Sequence, residues 1–137
     1  NFMISTSYYR SPEVILSCCD WDDKADIWSI GCILCELYTG NVLFKSETPQ
    51  GYIQKFGEVL GDLPKWMYDD APSKIRYDFG RVIGRGQGEY LPIVAKSSES
   101  SEWRKRILDM LILPEHKSFK EFLQFLLVLD PKKRPSA

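Results

Sequence analysis

The sequence is short of net charge, of histidine and of long apolar runs, and each shortage closes off a class of function. Across 137 residues, 18 Lys and Arg stand against 19 Asp and Glu, a formal net charge of -1. That balance offers no electrostatic case for a nucleic-acid or membrane partner. The single histidine, His116, sits between Glu115 and Lys117 and reads as a surface residue rather than a catalytic one; no metal site is expected. The most apolar stretch is too short and too punctuated to cross a bilayer. No signal peptide or targeting segment is visible at Asn1. Of the four cysteines, Cys18 and Cys19 are adjacent and Cys32 and Cys35 fall within one apolar helix, a spacing that suits neither a disulfide framework nor a zinc knuckle. Reduced thiols in an intracellular protein, nuclear or cytoplasmic, are the expectation. The Cys32-x-x-Cys35 spacing reads as core packing, because a redox pair belongs at an exposed helix start.

What is present is enough apolar material for one domain: 44% apolar and 13% aromatic residues. The organising stretch is 24–40. Ile27, Ile30, Leu34, Leu37 and Tyr38 form one helical stripe, and Trp28, Cys32, Ile33 and Cys35 put apolar surface on the other sides. A helix apolar nearly all round is expected to be buried. Asp22 or Asp23 caps its start, and Gly40 ends it in a left-handed conformation.

Ahead of this helix, residues 1–13 read as loop or extended chain, with Pro12 holding Ser11 out of helical geometry. Glu13 to Leu16 make one short helix with Pro12 at its first position. After Gly40, a loop over 41–46 is pinned by an apolar pair. Thr48-Pro49 then opens a helix whose Ile53, Phe56, Val59 and Leu60 recur at helical spacing until Gly61. From Asp69 to Glu102 the frequent glycine, proline and serine predict loops and at most a hairpin, with low order at 97–101. Within it, Gly84-Arg85-Gly86-Gln87-Gly88 lacks the third glycine of a phosphate-cradling loop, since Glu89 stands in its place, and reads as a loop. Arg76, Arg81 and Arg85 read as solvated charges. A helix from Glu102 is expected to bury Trp103, Ile107, Leu108, Met110 and Leu111 until Pro114. A capping box of Ser118 and Glu121 opens the last helix, which buries Phe119, Phe122, Leu123, Leu126 and Leu127 and stops at Asp130-Pro131.

Several of these segments, in this order, resemble a known family. Tyr9-Arg10-Ser11-Pro12-Glu13, followed by Asp26-Ile27-Trp28-Ser29-Ile30-Gly31, resembles the end of the activation segment and the long buried helix in the large lobe of a eukaryotic protein kinase. Leu129 to Ser136 is similar to the Leu-x-x-Asp-Pro-x-x-Arg pattern near the end of kinase domains. Leu63-Pro64-Lys65 resembles a turn of the group holding cyclin-dependent, MAP and LAMMER-type kinases. Within that group the chain looks most like the LAMMER dual-specificity branch, with the dual-specificity tyrosine-regulated branch as runner-up.

The resemblance implies a mainly α fold, an incomplete large lobe organised around the buried helix, with a loop-rich insert. Residues 1–23 would be the end of the activation segment and a short helix, 24–40 the central helix, 48–61 a mobile docking helix, 62–102 a group-specific insert, and 103–137 the final helices, cut short. It implies a Ser/Thr or dual-specificity kinase that transfers the γ-phosphate of ATP, with Mg2+, to hydroxyls of a protein substrate. This piece would supply the substrate-binding loop and scaffold. Phosphoryl transfer needs a phosphate-covering loop, a nucleotide lysine, a catalytic aspartate and a metal aspartate, and no catalytic, nucleotide or metal residue of those motifs stands in this chain. Asp78-Phe79-Gly80 reproduces a metal-site triplet but falls in the insert, where it is a chance match.

By the same resemblance, Glu13 pairs with Arg134, and Thr6 bonds the catalytic aspartate and lysine. Thr6, Ser7, Tyr8, Tyr9 and Arg10 line the pocket for the residue after the phosphorylated one. Asp26 accepts hydrogen bonds from the catalytic loop; by residue chemistry alone it reads equally well as a first-turn acid favoured by the helix dipole. Docking partners would use 48–61 and 62–102. The competing function is a pseudokinase or docking module without phosphoryl transfer. A stand-alone helical adaptor is disfavoured, because the central helix would then leave a large apolar patch exposed.

Overall fold

The computed structural model describes residues 7–82 and 107–137, and every regular element among them is helical. A 3-10 turn, Ser7–Tyr9, leads to α1 (Pro12–Leu16), α2 (Asp23–Thr39), α3 (Pro49–Leu60), α4 (Lys65–Asp69) and α5 (Ser73–Val82). After 107 come the end of a sixth helix, α6 (107–111), a second 3-10 turn, Pro114–His116, and α7 (Lys117–Leu126). None of these helices is long and apolar enough to cross a membrane.

The local starts and stops follow from side-chain chemistry. Ser11 is extended, with φ -74° and ψ 158°, and Pro12 takes the first position of α1. Asp22 caps α2 by accepting from the Lys24 amide, and Gly40, at φ 79°, closes it with its own N–H on the Glu36 carbonyl. Thr48 caps α3 by accepting from the Gly51 amide.

Helix α2 runs through the core but is not buried all round. Its inward line is Trp28, Gly31, Cys32 and Cys35. Trp28 lies parallel to Phe44 at 5.6 Å between ring centres and edge-on to Phe56 at 5.0 Å, so the 41–46 loop and α3 both close over it. Gly31 admits α7, which packs against α2. On the opposite side Ile30, Ile33 and Leu37 are 46%, 42% and 76% exposed. The expectation of burial on every side is corrected here: the described elements cover one side of α2 only.

Further expectations change. Residues 73–82 form α5, where loops were expected, because Pro72 sits ahead of the helix and Gly80 near its end leaves the intervening residues free to coil. Met110 and Leu111 are exposed, because α6 meets the core along the line of Leu108 and Ile112. Ser118 and Glu121 do not form a capping box: the turn from Pro114 runs straight into α7, so the chain is already helical at Lys117 and Ser118 lies inside. Helix α7 ends at Leu126, short of Asp130-Pro131, and Phe122 is exposed while Leu123, Leu126 and Leu127 are buried. The glycine-rich 84–88, Arg85, the 97–101 serine run and Trp103 lie outside the described residues.

A Cβ added at Gly31 would stand 2.8 Å from Leu127 Cδ2 and 3.2 Å from Leu126 Cβ. Alanine gains about 1 kcal/mol of helix propensity over glycine, but overpacking costs about 1–3 kcal/mol, and buried Leu127 has little room to yield. Gly31→Ala is expected to lower stability by about 1 kcal/mol net in a denaturant titration. A stabilised variant would show that α2 and α7 do not pack this closely.

Candidate functional site

The site is built around one guanidinium. After α7 the chain turns at Asp130, whose carbonyl accepts from the amides of Lys133 and Arg134. Its carboxylate fixes the turn from both oxygens: Oδ1 accepts from the Lys132 amide at 2.9 Å and Oδ2 from Trp66 Nε1 at 3.2 Å. Lys132 lies over the Trp66 ring, 3.9 Å from its centre. The turn sends Arg134 inward, where it is 2% exposed.

There every N–H of the guanidinium finds an acceptor. Nε donates to the Val128 carbonyl at 2.9 Å. Nη1 donates to Glu13 Oε1 and to the Lys24 carbonyl, both at 2.7 Å. Nη2 donates to Glu13 Oε2 at 3.0 Å and to the Leu129 carbonyl at 3.4 Å. Two parallel bonds to one carboxylate match the planar fork of arginine. Glu13, on α1, is itself 1% exposed. A buried ion pair stands only when its geometry is good and its remaining hydrogen-bonding groups are satisfied; here both hold. The structure therefore brings Glu13 and Arg134 together across 121 residues, with Lys24 at the start of α2 as a third partner.

Residues 7–10 are held by the adjoining flank of α2. Ser29 Oγ donates to the Tyr9 carbonyl at 2.7 Å and also lies 3.2 Å from the Ala25 carbonyl. The Tyr9 hydroxyl donates to Glu36 Oε2 at 2.5 Å. That bond to Glu36, followed by burial, holds the Tyr9 phenol above its ordinary pKa of 10.0. Ser29 and Glu36 are seven residues apart, two helical turns, and so share a face. Tyr8 meets Tyr9 edge-on, and Tyr8 and Arg10 are half-buried. Thr6 lies outside the described residues, and Ser7 opens the 3-10 turn. Asp26 is exposed in the first turn of α2.

Sequence reasoning missed Glu36, Trp66 and Tyr38. Polar residues in an otherwise apolar helix were the available signal for Glu36. Tyr38 accepts from the Leu113 amide at 3.1 Å, and its hydroxyl is 2.6 Å from Nδ1 of exposed His116. Among the described residues no group of three or more His, Cys, Asp or Glu converges as a metal set would.

This helical arrangement, with residues 7–10 pinned to α2 and α1 locked by a distant arginine, is that of the large lobe of a protein kinase. The model of the protein kinase domain matches residues 1–137, and the chain belongs to that family. It is 37% identical over 142 residues to the serine/threonine-protein kinase AFC3 of Arabidopsis thaliana, covering 98% of this chain and 34% of the relative. It is 30% identical to the human dual specificity protein kinase CLK1, covering 96% of this chain and 26% of the relative. The probable dual specificity protein kinase madd-3 of Caenorhabditis elegans is 32% identical, with 98% of this chain and 14% of the relative covered. A crystal structure of the PF14_0431 kinase domain superposes with TM-score 0.70 at 33% identity, covering 99% of this chain and 39% of that one. The chain thus spans about a third or less of these curated relatives.

Removing one partner of a buried, hydrogen-bonded ion pair strands the other, at about 3–5 kcal/mol. Glu13→Ala is expected to cost that much in chemical denaturation. Arg134→Lys should approach it, because an ammonium supplies three donors against five and no fork. A loss below about 1 kcal/mol for Glu13→Ala would place the pair among solvent-screened surface bridges.

Proposed function

We propose that this chain is the substrate-binding and scaffolding part of a Ser/Thr or dual-specificity protein kinase of the LAMMER branch. The whole protein would transfer the γ-phosphate of ATP to hydroxyls of protein substrates, with Mg2+, using residues outside this chain. The observation that supports it most is the clamp on residues 7–10: Ser29 on the Tyr9 carbonyl, Glu36 on the Tyr9 hydroxyl, and the Glu13–Arg134 pair just beyond. A substrate pocket needs a backbone held in one conformation by neighbours that do not move with the ligand. The recurrence of CLK1 and AFC kinases among the similar proteins supports the branch.

In this reading Thr6, Ser7, Tyr8, Tyr9 and Arg10 line the pocket for the residue after the phosphorylated one, with Thr6 also bonding the catalytic aspartate and lysine. Asp26, exposed at the start of α2, receives backbone donors of the catalytic loop. Helix α3 and the 62–102 segment offer docking surfaces to protein partners. An intracellular setting, nuclear or cytoplasmic, follows for such an enzyme.

Arg10→Ala in the full-length protein tests the assignment. Against a peptide set varied at the position after the phosphoacceptor, kcat/KM for the preferred peptide should fall about tenfold, equivalent to about 1.4 kcal/mol, with KM for ATP unchanged. Unaltered peptide preference would remove Arg10 from the pocket. Absence of both nucleotide binding and phosphorylation in the unsubstituted protein would replace the kinase by a scaffold.

A further inference from the structure

Helix α5 carries two cations that the rest of the described structure leaves unanswered. Elsewhere the exposed lysines on helices are met by carboxylates: Lys55 by Glu58, Lys65 by Asp69 and Lys117 by Glu121. Lys74 and Arg76 are exposed as well, and neither has a carboxylate partner among the described residues.

The order of residues gathers these charges on the outward side of the helix. Ile75 packs against the core, which sets the inner side of α5. Successive side chains turn by about 100° around a helix, so Tyr77 points nearly opposite to Ile75, with Lys74 on one flank and Arg76 on the other. Tyr77 is 66% exposed. Ser73 shares the outer side with Tyr77, and its Oγ accepts from Arg76 Nη2 at 3.3 Å, which draws the guanidinium toward that side. The result is an exposed ring between two cations, one of them oriented. A guanidinium takes a carboxylate on two parallel bonds, and an ammonium takes one as a point charge. Tyrosine and arginine are the side chains most used at protein interfaces, and like charge excludes a basic partner.

We propose that the outer side of α5 docks an acidic segment of a protein partner, with carboxylates on Lys74 and Arg76 and the bound chain lying across Tyr77. The inference rests on the reading of 62–102 as a docking surface and names the chemistry of its partner. Where that partner is a substrate, the contact raises its local concentration at the lobe without touching the reacting groups.

Fluorescence anisotropy of a labelled hexaglutamate peptide with the full-length protein tests this without depending on catalysis. The peptide should bind, and added salt should weaken it. Reversing both charges, Lys74→Glu with Arg76→Glu, should weaken binding about tenfold. The same change of charge at exposed Lys45 and Lys117, Lys45→Glu with Lys117→Glu, should leave it within about twofold. No binding of the glutamate peptide, equal binding of a hexalysine peptide, or an equal loss from both double variants would each overturn the docking surface. So would binding that survives the reversal of Lys74 and Arg76. Phosphorylation is scored separately: binding without phosphorylation leaves the surface standing and strikes the kinase reading, whereas phosphorylation without binding strikes the surface alone.

Discussion

The structure depends on one buried guanidinium. Arg134 donates to a side chain on α1, to a carbonyl at the start of α2, and to two carbonyls of the segment that leaves α7. Three of the acceptors are backbone carbonyls: Lys24 in the first turn of α2, and Val128 and Leu129 beyond the end of α7. One side chain thereby ties the start of α2 and the chain beyond α7 to α1 and neutralises Glu13. The Trp28 ring, 5.2 Å from the guanidinium carbon, shields the arrangement from the α2 side. The cost of burying two charges is offset because no donor is left over.

This constraint orders the rest. With α1 fixed by Glu13, residues 7–10 can only leave along the flank of α2, where Ser29 and Glu36 are waiting. Helix α2 in turn is positioned by its Trp28, Gly31, Cys32 and Cys35 line against Phe44, α3 and α7. The exposed Ile30, Ile33 and Leu37 show that its opposite side makes no comparable packing among the described elements. In a protein kinase, catalysis is mostly positioning and electrostatics. A lobe that holds residues 7–10 by two hydrogen bonds and a remote ion pair is suited to that task.

How much of this was legible depended on whether the signal was local. Caps were legible, because Asp22, Thr48, Pro12, Gly40 and Gly61 act on the backbone within a turn of themselves. The pairing of Glu13 with Arg134, 121 positions apart, has no local signature; only the resemblance to the kinase pattern brought those two residues forward together. The Ser118 and Glu121 capping box had the right letters, but Pro114 had already started the helical path, so tertiary layout overrode the motif. Helix α5 was hidden by the glycine and proline content averaged over 69–102, although the interior of the helix carries neither before Gly80. The Tyr9–Glu36 and Trp66–Asp130 bonds are long-range side-chain contacts whose partners look unremarkable in sequence. The exposed side of α2 was misread because periodicity reports which residues are apolar, not which neighbours are present to cover them.

The central claim is that Glu13 and Arg134 act as one unit joining α1 to the segment that follows α7. A double-mutant cycle of Glu13→Ala and Arg134→Ala, followed by chemical denaturation of the full-length protein, measures that coupling directly. Contacting pairs in such networks show interaction energies of about 0.5–3 kcal/mol, and this account predicts a value in the upper half of that range. Additivity of the two losses within about 0.5 kcal/mol would contradict it, and would mean that each residue is held by its backbone partners alone.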